Sequence, residues 1–302
     1  MFNPSNLLKK CVFLYGMIGI FDSGAGGLSV YREIVKVLPE EKYVYYSDNA
    51  HCPYGEKSRE YVIDRARKIT DFLIGQGCDV IVVACNTATA AAISTLREEY
   101  DIPFIGMEPA VKQGALRTRS GVVGVLATAG TLKAAKYHDT RDRFAEGVKV
   151  VERTGEGFVE LVEAGVLDGP EAEAVVRRSV EPLLDAGADM IVLGCTHYPF
   201  LQPLIERIAG PGVTVIDPAP AAARHLLHVM EDRGLVRRDG QPSQLCDNHG
   251  PVTPLDSQPF QPSDDPGTVS RPDGEAVSPQ TADIRLFSSG PRTALERIFS
   301  IL

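Results

Sequence analysis

Apolar, β-branched runs alternate with longer amphipathic stretches along most of the chain. Short runs at residues 18–21, 43–46, 80–84, 104–106, 122–126, 148–151, 190–194 and 213–216 read as strands, and the stretches between them as helices. Strands that are apolar on both faces and separated by helices belong to parallel sheets covered on both sides. The chain also repeats itself. Gly77-Cys78-Asp79-Val80-Ile81-Val82-Val83-Ala84-Cys85 overlies Gly187-Ala188-Asp189-Met190-Ile191-Val192-Leu193-Gly194-Cys195, so that two cysteines coincide. Upstream, Ile18-Gly19-Ile20-Phe21-Asp22-Ser23 overlies Val123-Gly124-Val125-Leu126-Ala127-Thr128, and downstream Glu108-Pro109-Ala110 overlies Asp217-Pro218-Ala219. Three matches in one order predict an α/β fold of two pseudosymmetric, doubly wound domains with mainly parallel sheets and a site in the cleft between them.

The same pattern sets the expected boundaries. Residues 17–107 with 217–237 and 283–302 form the domain carrying Cys85, and residues 108–216 the domain carrying Cys195. From 238 to 282 the composition shifts to Pro, Ser, Asp, Gln and Gly without apolar periodicity, which reads as a disordered segment with no chemistry. Apolar periodicity returns at Ile284-Arg285-Leu286-Phe287 and over residues 294–302, which are expected to dock back onto the body. Residues 1–16 read as an extension, or as a start site set too early, because Met17 stands just before the first strand. Lys9 and Lys10 before Cys11-Val12-Phe13-Leu14-Tyr15 imitate a signal peptide, but the apolar run continues into the first core strand, which cleavage would damage.

Composition narrows the partners. The 302 residues are 44% hydrophobic and 24% charged, enough to build real cores, and 31 basic against 40 acidic residues give a net charge of -9. Such a balance argues against nucleic-acid backbone or anionic lipid and for a small solute. No apolar run approaches the ~20 residues of a spanning helix. The six cysteines lack CxxC pairs, and a chain of this length needs no disulfide staples, which points to free thiols in a reducing compartment.

Cys85 and Cys195 end equivalent strands, where open α/β sheets place their ligands. Each is followed by polar residues, Asn86-Thr87 and Thr196-His197, and the helix expected after Cys85 offers amides that favour a thiolate or bind a carboxylate. Cys78, Cys11 and Cys246 sit away from strand ends and read as structural. Two thiols related by a pseudo-twofold axis face a small ligand from opposite sides, which is what racemisation requires: one removes the α-proton while the other protonates the far face. Asp22, at the end of the first strand, is placed to orient Cys85 or to accept a substrate ammonium. His197 is placed to share the proton of Cys195. The glycines after Asp22 resemble a dinucleotide loop, but Ser29 replaces its third glycine and an acid at the turn repels phosphate. Pyridoxal phosphate is not expected, because the lysines lie in polar, helix-like contexts. His225 and His228 share a helix face without a third ligand at suitable spacing, so no metal is expected either.

These residues carry a resemblance. Gly19-Ile20-Phe21-Asp22-Ser23-Gly24, Pro53-Tyr54-Gly55-Glu56-Lys57-Ser58, Ala84-Cys85-Asn86-Thr87-Ala88-Thr89-Ala90, Phe158-Val159-Glu160-Leu161-Val162-Glu163-Ala164-Gly165 and Leu193-Gly194-Cys195-Thr196-His197-Tyr198-Pro199 resemble, in order, the motifs of the glutamate racemases of the aspartate/glutamate racemase superfamily. The resemblance spans residues 18–219. It implies that Cys85 acts on the D-enantiomer and Cys195 on the L-enantiomer, without a cofactor. It implies further that Asp22 supports the first thiol, and Glu163 with His197 the second. Substrate contacts are implied at Asp22, Ser23, Tyr54, Gly55, Asn86, Thr87, Thr196 and His197. By its periodicity alone Glu163 reads as a solvated helix charge. The family's role is to supply D-glutamate for bacterial peptidoglycan in the cytoplasm, and a homodimer stays open as the assembly. The chain departs from the family at Gly155-Glu156, where many members carry Cys-Pro, and in residues 1–16 and 238–282.

Three other readings remain. An aspartate racemase or a related diacid isomerase shares the motifs, although His197 after Cys195-Thr196 resembles the glutamate enzymes. An amino-acid-binding regulator would keep the pocket without turnover. A dithiol redox protein would need Cys85 and Cys195 within disulfide reach.

Overall fold

The computed structural model describes residues 17–144, 146–236 and 283–302. The expected extension over 1–16, the Pro- and Ser-rich tract over 238–282, and Cys11 and Cys246 lie outside the described residues.

Among the described residues nine strands form two sheets. The first contains β1 (Met17–Asp22), β2 (Lys42–Ser47), β3 (Val80–Val83), β4 (Phe104–Gly106) and β9 (Asp283–Ser288), in the order β4-β3-β1-β2-β9. The second contains β5 (Val122–Ala127), β6 (Lys149–Thr154), β7 (Met190–Gly194) and β8 (Thr214–Ile216), in the order β6-β5-β7-β8. Every pairing is parallel. Read from the other edge, the second sheet runs β8-β7-β5-β6, which is the order of β4-β3-β1-β2. The repeat in the sequence is therefore a repeat of topology, and the α/β architecture with two parallel sheets is as the apolar pattern predicts. The strand over 283–288 adds a fifth strand to the first sheet by pairing with β2.

The equivalent turns share their chemistry. Gly77 and Gly187, just before β3 and β7, both have φ +88, a left-handed backbone that glycine adopts without a steric penalty. The acids that come after them tie the strand ends together: Asp79 Oδ2 accepts from Met17 N at 3.2 Å, and Asp189 Oδ2 from Arg119 N at 2.7 Å and Ser120 N at 3.0 Å.

Two local expectations are corrected. β6 runs on to Thr154 although its apolar run stops at Val151, because it is an edge strand. Its pairing with β5 continues to Ala127–Thr154 whatever the side chains facing solvent, and Glu152 and Arg153 suit a strand with one open edge. The two cysteines also lead into different elements. Cys85 caps the helix Asn86–Glu99, its sulfur accepting from Ala88 N at 3.4 Å. Cys195 precedes only a 3-10 turn, Tyr198–Leu201, before the helix Gln202–Ala209 begins. At Gly155, where the sequence departs from the motifs it resembles, a side chain would meet Tyr198: an added Cβ would lie 2.6 Å from Tyr198 Oη, so this ring fills the space. No helix among the described residues is long and apolar enough to cross a membrane.

Candidate active site

β1, β3 and β7 end on one small cavity, with about 280 Å3 of space between its atoms. Ser23, Tyr54, Gly55, Cys85, Asn86, Thr87, Cys195, Thr196 and His197 line it, as do Pro53, Thr128 and Val159. Nine of the residues singled out in the sequence are thus brought together from both halves. Asp22 and Glu163 are not on its wall and stand behind it. Pro53 and Val159 adjoin motif residues. Thr128 was legible as well, because the repeat places it over Ser23. Its hydroxyl meets that of Thr87 at 2.8 Å, one of the contacts that close the two halves on each other.

Asn86 is buried, and neither its amide oxygen nor its amide nitrogen has a hydrogen-bond partner. Leaving a buried amide unpaired costs about 1–3 kcal/mol, which a polar solute in the cavity would offset.

The side chains behind the wall hold it in place. Asp22, fully buried at the end of β1, accepts from Gly24 N at 3.0 Å with Oδ2 and from Thr196 Oγ1 at 3.1 Å with Oδ1. It therefore spans the first and second halves. The Cys85 thiol donates to Ser23 Oγ at 3.7 Å, and the Asp22 carboxylate acts on it through its charge. Burial pushes the Asp22 carboxyl above its ordinary range, outweighing the charge of His197 and the bonds from Gly24 and Thr196. Tyr54 is held from below: its hydroxyl donates to Asp48, which Arg65 grips in two hydrogen bonds of 2.9 and 2.6 Å.

On the other side, His197 lies between Cys195 and Glu163. Nδ1 is 3.8 Å from Cys195 Sγ and Nε2 is 2.7 Å from Glu163 Oε1, which also accepts from Ala25 N at 2.8 Å. Burial alone would strip the proton from His197, but its bonds to Cys195 and Glu163 raise its pKa well above the ordinary value. Glu163 is held below its ordinary value: burial opposes ionisation, and the hydrogen bond and charge of His197 prevail. These contacts favour the imidazolium form of the ring beside the Cys195 sulfur. Cys85 differs. Burial first, and the Asp22 charge second, push its thiol up despite the amide of Ala88. The helix-terminal amide of Ala88 does favour the thiolate, as its place in the sequence suggests, but burial outweighs it.

The raised His197 pKa has a direct readout. Its charged pairing with Glu163 contributes stability that is fully present below the ~6.5 of an unfolded histidine and is lost as pH rises through the raised folded value. Nitrogen-15 NMR of labelled imidazole is expected to find His197 still doubly protonated at pH 7.5 (roughly one unit above that reference). A neutral ring at that pH would remove the assignment.

Cys52, Cys78, Cys85 and Cys195 are all free thiols. His228 pairs with Asp232 at 3.4 Å, and His225 joins the lining of a separate surface cleft with Arg97. Neither His225 nor His228 belongs to a metal-ligand cluster among the described residues. The one group of three donors close enough to hold an ion is, among those residues, Cys52, Glu163 and His197, whose ligand atoms lie within 4.8 Å of one another. Spacing along the chain gave no sign of it, because the three come from three separate segments.

Known proteins resemble this chain in sequence and fold. The family model described as Asp/Glu/Hydantoin racemase matches residues 18–226. The chain is 51% identical over 228 residues to a glutamate racemase of Ectopseudomonas mendocina, covering 75% of this chain and 86% of that one. It is 50% identical over 248 residues to that of Pseudomonas syringae pv. tomato, covering 80% and 90%. Among solved structures, Escherichia coli glutamate racemase in complex with L-glutamate and the activator UDP-MurNAc-Ala superposes with a TM-score of 0.68 at 37% identity, covering 72% of this chain and 83% of that one. The Francisella tularensis enzyme in complex with D-glutamate gives 0.66 at 31%, covering 76% and 86%. By its motifs, its duplicated sheets and these relatives, the chain belongs to the Asp/Glu/hydantoin racemase family and, within it, to the glutamate racemases.

Proposed function

We propose that the protein interconverts L- and D-glutamate by a two-thiol proton transfer that needs no cofactor. The observation that carries this reading is that Cys85 and Cys195, from equivalent strands of two sheets, line one small cavity. In the L-to-D direction the Cys195 thiolate, stabilised by the imidazolium of His197, takes the α-proton and becomes a thiol. The Cys85 thiol, kept protonated by burial, gives its proton to the opposite face of the carbanion and becomes the thiolate. The D-to-L direction starts from this second state. Glu163 holds His197 charged, and Asp22 braces Thr196 and the turn at Gly24.

Asn86, with Thr87, Thr196, Ser23 and the loop at Tyr54-Gly55, supplies the polar groups that fix the substrate's carboxylates and ammonium. Fixing them makes proton abstraction effectively intramolecular. The solved relatives named with L- and D-glutamate support glutamate as the ligand. D-glutamate so made serves bacterial peptidoglycan, and the free thiols suit a reducing cytoplasm. A homodimer is the assembly to test, by light scattering.

The test is incubation with L-glutamate in deuterated water without added cofactor. Loss of optical rotation with deuterium entering the α-position is expected. Inertness towards glutamate with turnover of aspartate would reassign the substrate, and inertness towards both would leave an amino-acid-binding protein.

A further inference from the structure

Cys52 is a metal-ligating side chain that racemisation leaves idle. It lies half-buried between the short turns Asn49–His51 and Tyr54–Glu56, next to the loop that closes the cavity but not on its wall. Its sulfur, a carboxylate oxygen of Glu163 and a ring nitrogen of His197 all lie within 4.8 Å of one another. They converge over the bare backbone of Gly24. One bond out from the Gly24 Cα, where glycine has only hydrogen, Glu163 Oε1 is 2.4 Å away, Cys52 Sγ 3.1 Å and His197 Nε2 3.2 Å.

A zinc-class ion sits about 2.0–2.3 Å from oxygen, nitrogen and sulfur ligands, which puts tetrahedral ligands about 3.3–3.6 Å apart. The 2.7 Å contact between Glu163 and His197 then has to open by roughly half an ångström and the thiol to swing inward, which side-chain rotation supplies. One thiolate, one imidazole and one carboxylate suit zinc or cobalt better than magnesium or calcium, which prefer oxygen alone. Three protein ligands leave the fourth position to water.

We propose that Cys52, Glu163 and His197 form an inhibitory site for a zinc-class divalent cation. Binding expels the thiol proton of Cys52 and the Nε2 proton of His197 to solvent and exchanges the Glu163–His197 hydrogen bond for two coordinate bonds. His197 can then no longer stand as an imidazolium beside Cys195. Neither Cys52 nor Glu163 lines the cavity, and Nε2 points away from Cys195, so the ion lies behind the wall and leaves the substrate its place. Inhibition therefore lowers kcat and leaves KM alone. An ion on the catalytic thiols would compete with substrate instead.

The experiment titrates the metal-free full chain with Co2+ for spectroscopy and with Zn2+ for rate, in the wild type, Cys52→Ala and Cys52→Ser. The wild type is expected to bind one equivalent of Co2+ with a sulfur-to-cobalt charge-transfer band, and both variants to lose that band. Each variant should racemise normally without metal and resist Zn2+ at least about tenfold better than the wild type. The proposal is overturned by equal binding or equal inhibition in the Cys52 variants, by inhibition that glutamate relieves, or by no binding at millimolar metal. The kcat measurement rests on the racemase reading. The charge-transfer band does not, so a protein inert towards glutamate would still report on the cluster.

Discussion

Cys85→Ala and Cys195→Ala should each lower racemisation in both directions by about 10²–10⁴-fold, the usual range for removing a general acid or base. Every turnover uses one sulfur to accept a proton and the other to donate one, so losing either stops both directions. The double variant should lose little more than a single one, because groups that act as a unit are not additive. Glutamate binding should survive within a few-fold, since Asn86, Thr87 and Thr196 remain on the wall. A sharper readout is solvent exchange without inversion. Cys85→Ala still has Cys195 and should exchange the α-hydrogen of L-glutamate only, while Cys195→Ala should exchange that of D-glutamate only. Proton NMR in deuterated water with each pure enantiomer measures this. Either variant racemising at close to the wild-type rate would rule out the two-thiol scheme.

Gly26→Ala is expected to lower kcat about a hundredfold without touching a reacting atom. A Cβ at Gly26 would lie 2.4 Å from His197 Nδ1, 2.6 Å from Cγ and 2.7 Å from Cε1, so the imidazole packs flat against this bare backbone. The ring is only 1% exposed and is anchored by Glu163, leaving it nowhere to move except out of line with Cys195. Misplacing a catalytic group by about 1 Å can cost a hundredfold in rate, and overpacking a core costs about 1–3 kcal/mol. Gly75→Ala is the control. Nothing lies within 4 Å of a Cβ there, at the end of the helix Arg59–Gly75, and the change should leave kcat unaltered and stabilise the fold by about 0.5–1 kcal/mol. Steady-state kinetics and thermal unfolding of the two variants separate the effects. Unchanged kcat in Gly26→Ala would mean that the position of His197 does not matter. The glycines after Asp22, which resemble a nucleotide loop in the sequence, serve instead to let Glu163 and His197 approach the first half.

Much of this was legible without coordinates. Parallel strands covered on both faces must be apolar at every position, so β1, β3, β5 and β7 read as unbroken runs, and their duplication along the chain carried the strand order with it. The edge strand β6 was cut short because half of its surface is wet and its second part is charged. Cys85 and Cys195 were legible because a strand end is a position along the chain. Glu163 was not legible from periodicity. It lies in a short helix, Phe158–Ala164, where an acid looks solvated, and only the approach of His197 and Ala25 gives it a role.

The sequence by itself determined the alternation of strand and helix, the two-fold repeat and the placing of a thiol at each equivalent strand end, because these depend on neighbours close in the chain. Tertiary structure alone decided that Asp22 braces Thr196, that burial raises the Cys85 thiol while Glu163 raises His197 beside Cys195, and that Cys52 comes close to Glu163 and His197. Each of those depends on burial, and on contacts between residues far apart in the chain that meet only when the two sheets close on one cavity.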